Sequence, residues 1–322
     1  MRRHLLAMGM AALAAVAGPA RAGQFSSLYV FGDSYSDAGN LYALSGGTVP
    51  ASPPYAGRFS NGPVAVEYLA SSLGLPFTYS LNPLRGTRGL DYAFGGAETG
   101  TAPLVGPFSL GLLGQVNQFK ADVLSHAVSF NSSALFLLEG GGNDLFNNIA
   151  TTPAPTIIAN AANNIATEAA TLYALGARQI GIATVFHLGL TPAGAASGAA
   201  ATLNLLSDAL NAAYATAIAT LSATYLGADF FLLNTGADVN GLIANAGALG
   251  FTDSTTPCLV GGVACANPNQ HVFWDDKHPT TAFHALLGAE LAAQLVPEPG
   301  SMALLGAGLA LLAWRRGRPQ GA

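Results

Sequence analysis

Short apolar runs that stop at glycine or a polar turn, alternating with longer segments of helical period, limit most tightly how this chain can fold. "SSLYVFGD" (26–33), "SALFLLEGGGND" (133–144), "RQIGIATV" (178–185) and "ADFFLLNT" (228–235) are strand-length apolar runs. Unbroken apolar runs of this kind suit strands covered on both faces, as in a parallel sheet. Between them lie "GPVAVEYLASSLG" (62–74), "TIIANAANNIATEAATLYALGA" (156–177) and "ATLNLLSDALNAAYATAIATLSATYL" (201–226), all with helical spacing. Glycine closes the first, and Gly176 sits near the end of the second. Strand and helix in turn imply an α/β fold with a mostly parallel sheet. Such sheets gather reactive groups beyond the carboxyl ends of their strands. Ser34 and Asn143 both fall just past such an end.

The two ends are set apart from this pattern. "MRRHLLAMGMAALAAVAGPARA" (1–22) has arginines, a short apolar core and Ala20-Arg21-Ala22, the order of a secretory signal cut after Ala22. Export would bring Cys258 and Cys265, the only cysteines, into an oxidising compartment, where they are candidates for a disulfide. They lack the further ligands of a zinc site. At the other end, residues 301–314 are apolar and Arg315, Arg316 and Arg318 follow. As a helix this run reaches only about 21 Å, short of a hydrocarbon core of roughly 30 Å. Pro297-Glu298-Pro299, the apolar run and the arginine cluster together resemble the PEP-CTERM sorting tail of certain Gram-negative bacteria. That resemblance implies handling by inner-membrane sorting machinery and delivery to the cell surface or matrix. The expected organisation is therefore a signal peptide over 1–22, one domain over 23–296 and a sorting tail over 297–322. Charged residues make up only 9% and the net charge is −5, so no basic stripe exists to hold a nucleic acid.

A serine hydroxyl is a poor nucleophile until a histidine takes its proton, and that histidine needs a carboxylate to fix its tautomer. Of the six histidines, His4 leaves with the signal. His126 lies in a helix-like stretch, His187 is a candidate to line a cleft, His271 precedes an apolar patch, and His284 belongs to the helical "TAFHALLGAELAAQL". His278, in "FWDDKHPT", has Asp275 three residues before it, within reach in a tight turn. Asp276 leaves the choice of carboxylate open. Acyl transfer also needs donors for the oxyanion. Asn143 offers a side-chain amide, and Gly95 and Gly96 offer backbone N–H groups in a loop.

"FGDSYSDAGN", "GRFSNGPVAVEYLA", "DYAFGGAET", "GGGND" and "DDKHPT" occur in this order, from Phe31 to Pro279. Together they resemble the GDSL family of lipases and esterases, also called SGNH hydrolases. The resemblance implies a flavodoxin-like three-layer α/β/α sandwich, no metal, no cofactor and an ester substrate. It matches Ser34 to the nucleophile, His278 to the base and Asp275 to the carboxylate. The oxyanion donors match the N–H groups of Ser34 and Gly96 and the side chain of Asn143. Two positions depart from the family pattern: Tyr35 replaces leucine, at a place where bulk is expected to matter, and Asp91 stands where relatives often carry asparagine. The expected activity is carboxylic ester hydrolysis. A carbohydrate acetylesterase and an inactive surface binding protein are the competing readings. The apolar segments "LVGPFSLGLLGQV" and "CLVGGVACANPNQHVFW" are expected to hold an acyl chain.

Overall fold

A computed structural model describes residues 25–101 and 110–296. The signal-peptide and sorting-tail readings fall on residues 1–22 and 297–322, outside the described residues. The chain divides into a body, Phe25–Leu291, and a second unit formed by residues 1–24 and 292–322. Of the second unit only 292–296 are described, and there Val296 N–H donates to Ala292 O (2.8 Å).

Six strands form the central sheet: β1 (Leu28–Phe31), β2 (Thr78–Tyr79), β3 (Leu90–Asp91), β4 (Leu135–Leu138), β5 (Gln179–Ala183) and β6 (Asp229–Leu233), in the order β2-β3-β1-β4-β5-β6. Every pairing is parallel. The five strands from β3 to β6 follow the flavodoxin-like order. Nine α-helices are described: α1 (Asn40–Leu44), α2 (Ala65–Ser72), α3 (Leu112–Leu124), α4 (Gly142–Asn148), α5 (Ala154–Leu175), α6 (Pro192–Ala196), α7 (Ala200–Thr224), α8 (Thr235–Ala244) and α9 (Thr281–Leu295).

Alternating side chains give the sheet two different faces. Tyr29, Phe31 and Phe136 project to one, where Phe119 of α3 sits with ring centroids 5.2, 5.5 and 5.6 Å away. Helices α3, α5 and α7 cover this aromatic face. The opposite face carries Val30 and Leu137, paired in register, and Ala183 and Leu233, also paired. Ala65 and Val66 of α2, Val239 of α8, and Leu287 and Leu291 of α9 lie against it. The result is the three-layer α/β/α sandwich.

β1 lies between β3 and β4, with chain leaving it to one side and then the other. That reversal opens a crevice at the carboxyl ends of the three strands. Ser34 follows β1, Gly96 follows β3 and Asn143 follows β4. The loop past α8 carries the remaining elements: β7 (Asp253–Pro257), β8 (Leu259–Val260), β9 (Val263–Ala264) and β10 (His271–Phe273). Cys258 and Cys265 are bonded there across the β8–β9 hairpin. Leu259 N–H donates to Trp274 O (2.6 Å), which ties the hairpin to the residue before Asp275.

Candidate active site

Ser34 and His278 stand 244 residues apart, and their side chains meet: Ser34 Oγ is 2.7 Å from His278 Nε2. The other ring nitrogen, Nδ1, lies 2.9 and 2.8 Å from the two oxygens of Asp275. A proton on Nδ1 therefore points at the carboxylate and leaves the Nε2 lone pair facing the hydroxyl. That is the geometry in which an imidazole can take a hydroxyl proton. The turn itself explains the alignment. Asp275 Oδ1 accepts from the backbone N–H of Lys277 (2.9 Å) and of His278 (2.7 Å), which winds residues 275–278 around the carboxylate. Asp276 is exposed on the outside of the same turn. Burial raises the pKa of Asp275, but the His278 imidazole and these amides outweigh it and hold the carboxyl well below the ordinary range.

The second sequence block packs against the loop that carries His278. Phe59 lies against the imidazole, with ring centroids 5.1 Å apart. Ser60 Oγ donates to Pro279 O (2.9 Å), and Asn61 Oδ1 accepts from Thr281 N–H (2.8 Å). Tyr55, just before, donates its hydroxyl to Asp275 Oδ2 (2.7 Å). Tyr35 does more than fill space. Its hydroxyl donates to Lys277 O (2.6 Å), fastening the segment after Ser34 to the segment before His278.

The N–H groups of Ser34 and Gly96 find no acceptor among the described residues. Gly96 has φ +79°, a left-handed conformation that favours glycine. Gly95 N–H, by contrast, is held by Asp37 Oδ2 (2.9 Å). A Cβ on Gly95 would lie 2.1 Å from the Phe59 ring, so the absence of a side chain there lets Phe59 reach the imidazole. Asn143 sits in the first turn of α4, and its Nδ2 donates to Ala97 O (3.0 Å) and to Asp33 Oδ2 (3.2 Å). Asp144 receives the N–H and hydroxyl of Thr99 (3.0 and 2.6 Å), which holds the two donor loops side by side.

Beneath the serine lie two acids. Glu139 Oε2 accepts from Asp33 N–H and from Ser36 Oγ, both at 3.2 Å. Burial, then the Glu139 charge, pushes Asp33 well above the ordinary carboxylate range. Gln115 bonds both the N–H (2.9 Å) and the C=O (2.8 Å) of Gly32, fixing the exit of β1. Asp37 gathers the N–H groups of Gly39, Asn40, Leu41 and Gly95. Asp91 is fully buried and accepts from Ala38 and Ala93 N–H (2.7 and 2.8 Å), so a carboxylate here does structural duty.

The other histidines stand elsewhere. His187 does not line the cavity at the site, although Phe186 and Leu188 on either side of it do; its ring contacts Asp208 (3.0 Å). His126 lies past the end of α3 at φ +63°, not within a helix. His271 opens β10. His284 is buried in α9 and accepts from Ala65 N–H (3.2 Å). Sequence reasoning missed Tyr55, Asp37, Gln115 and Glu139. Each acts on a partner distant in the chain, so no local pattern marks it. Among the described residues no group of three or more His, Cys, Asp or Glu side chains could hold a metal ion.

Comparison with known proteins adds independent findings. Residues 28–291 match the sequence profile of the GDSL-like Lipase/Acylhydrolase family, and residues 295–318 match the PEP-CTERM protein-sorting motif. GDSL esterase/lipase 6 of Arabidopsis thaliana is 27% identical over 313 residues, covering 82% of this chain and 85% of its own. An uncharacterized Pseudomonas putida protein from the trpE-trpG intergenic region is 29% identical over 329 residues, covering 95% of this chain and 54% of its own. The chain thus spans about half the length of that relative. Among solved structures, a catalytic mutant of an acetylxylan esterase from Geobacillus stearothermophilus is similar at TM-score 0.48 and 13% identity, covering 85% of this chain and 95% of that one. The sorting motif marks an exported protein handled at the cell envelope. Since the first profile spans most of its length, the chain belongs to the GDSL-like lipase/acylhydrolase family and is a carboxylic ester hydrolase.

Proposed function

We propose that the hydrolysis runs through an acyl-enzyme on Ser34. His278 Nε2 takes the hydroxyl proton as Oγ attacks the ester carbonyl, and Asp275 stabilises the imidazolium that forms. The developing oxyanion is met by the N–H groups of Ser34 and Gly96 and by Asn143 Nδ2, which exchanges one of its present acceptors for the substrate. The C–O bond breaks, and the leaving alcohol collects the proton from His278. Water then enters, loses a proton to His278 and attacks the acyl carbonyl. The acid departs and Oγ regains its proton.

The observation that carries this reading is the run of contacts from Ser34 Oγ to Nε2 (2.7 Å) and from Nδ1 to Asp275 (2.8 Å). The test is turnover of a p-nitrophenyl ester together with labelling by a fluorophosphonate probe. Ser34→Ala, shown to be folded by circular dichroism, is expected to lose both. Asn143→Ala is expected to keep the label while turnover falls on the order of a hundredfold. A folded Ser34→Ala protein with wild-type turnover would refute the assignment.

Around this chemistry we assign residues 1–22 to an export signal, 23–296 to the hydrolase domain and 297–322 to the sorting tail. Sorting machinery at the inner membrane would read the tail and send the domain to the cell surface or matrix. The order of charge, apolar core and Ala-Arg-Ala at the start supports the first of these, and Pro-Glu-Pro, apolar run and arginines at the end support the last.

A further inference from the structure

A cavity of about 80 Å³ is lined by Ser34, Asn143 and His278 and by the sheet and helices beside them. It lies between the non-aromatic face of the sheet and the layer of α2, α8 and α9. Val30, Leu137 and Leu233 form its sheet wall; Val66, Leu287 and Leu291 form its helix wall. These walls are shielded from solvent: Val30 is fully buried, and Leu137 and Leu287 are each only 3% exposed.

Neither apolar segment expected from the sequence forms this space. Residues 104–109 of the first fall outside the described residues, and no lining residue comes from the second. The β8–β9 hairpin instead points Val260 and Val263 to solvent, 64% and 72% exposed.

The charged groups of the lining, Asp33, Glu139 and Lys277, join Ser34 and His278 in it, and the hydroxyls along its wall are already committed to the protein. Ser36 Oγ donates to Glu139, Thr184 Oγ1 to Leu233 O and Thr191 Oγ1 to Leu188 O. Thr235 Oγ1 alone among the described lining residues is buried without a partner. A sugar lying along the sheet and helix walls of Val30, Leu137, Leu233, Val66, Leu287 and Leu291 would bury hydroxyls against hydrocarbon, an arrangement that folded proteins avoid. A hydrocarbon chain has no such need.

We propose that this cavity is the acyl pocket, that it takes an unbranched chain, and that it sets the preferred acyl length at about four carbons with the alcohol outside. The proposal rests on Ser34 as the nucleophile, which places the carbonyl carbon at the cavity mouth. Its size gives the length. An engineered cavity of about 150 Å³ holds benzene, so roughly half that volume holds three or four carbons. An acetyl group would leave most of it empty, and an octanoyl chain would not fit.

The test is kcat/KM for p-nitrophenyl acetate, butanoate, hexanoate and octanoate on the full chain. Each methylene that enters is expected to raise kcat/KM about fourfold, the equivalent of about 0.8 kcal/mol. Butanoate should therefore exceed acetate by about fifteenfold, with a fall by octanoate. Val66→Phe should bring the butanoate-to-acetate ratio near one by filling the cavity. Leu291→Ala should move the optimum to hexanoate or longer by extending it. Because each readout is a ratio within one preparation, a poorly folding variant still reports through its folded fraction, and the wild-type series stands alone if neither variant can be made. A flat wild-type series, or variants that leave the ratios unmoved, overturns the pocket. If Ser34→Ala is inactive in the same assay, that outcome leaves the acyl-enzyme reading standing; if Ser34→Ala hydrolyses all four esters, the acyl-enzyme reading falls first.

Discussion

At Asp275, one carboxylate gathers four donors: the N–H groups of Lys277 and His278, the His278 ring and the Tyr55 hydroxyl. The first three come from its own turn and could be read from the three-residue spacing to His278. Tyr55 comes from 220 residues away and could not. Its phenol lies where burial and then the Asp275 charge push its pKa upward, so it remains a donor at every working pH. Tyr55→Phe removes one bond to an ionised group, a loss on the order of 1.5–3 kcal/mol when wholly uncompensated. Water reaching Oδ2 would recover part of this, so kcat is expected to fall about tenfold. A variant with reduced stability but wild-type kcat would make Tyr55 a packing residue only.

Whole elements were legible where they were long. The alternation of apolar runs and helical segments identified β1, β4, β5, β6, α2, α5, α7 and α9, because a buried parallel strand and a long helix both leave extended patterns. Strands β2 and β3 have two residues each, too few to carry any period. They exist because β1 offers an edge: Tyr29 pairs with Leu90 and Val30 with Asp91, and β2 then adds to β3. The crossing of α2 and α9 was equally hidden, although it shapes one wall of the cavity. At Gly288 a Cβ would lie 2.6 Å from Tyr68 Cβ and 2.8 Å from Ala65 O. The helices can approach this closely only because Gly288 has no side chain. Gly288→Ala gains helix propensity yet must push α9 outward, and overpacking of this kind costs about 1–3 kcal/mol. Chemical denaturation should report a loss in that range. A stability equal to wild type would mean that the crossing has slack and that the close approach is incidental.

Across the whole molecule, buried acids decide how stability varies with pH. Asp33, Asp37, Asp91, Glu139, Asp144 and Glu168 all have raised pKa values, with burial the leading cause in each. Asp37, despite its four amide partners, is pushed up to about 6, and Glu168 has both oxygens without a partner. In the unfolded chain such groups lose their protons near pH 4. In the folded chain they hold them longer, so the folded state binds more protons and stability falls as pH rises through the folded values. His284 works in the opposite sense. Burial, then the nearby His278, lowers it to about 3, so its contribution falls away as pH drops below about 6.5, where the unfolded imidazole gains a proton. At pH 6.5 the unfolded imidazole still holds about half a proton, so His284 opposes the acids until about pH 8, where it is neutral in both states. As pH rises from 6.5 to 8 the raised carboxyls therefore lower the melting temperature and His284 raises it. Glu168→Gln keeps the shape and removes one titrating acid, so its melting temperature should move upward relative to that of the wild-type protein as pH rises from 6.5 to 8. A Glu168→Gln protein whose melting temperature keeps the same offset from wild type at both pH values would show that this carboxyl is already ionised in the fold at pH 6.5.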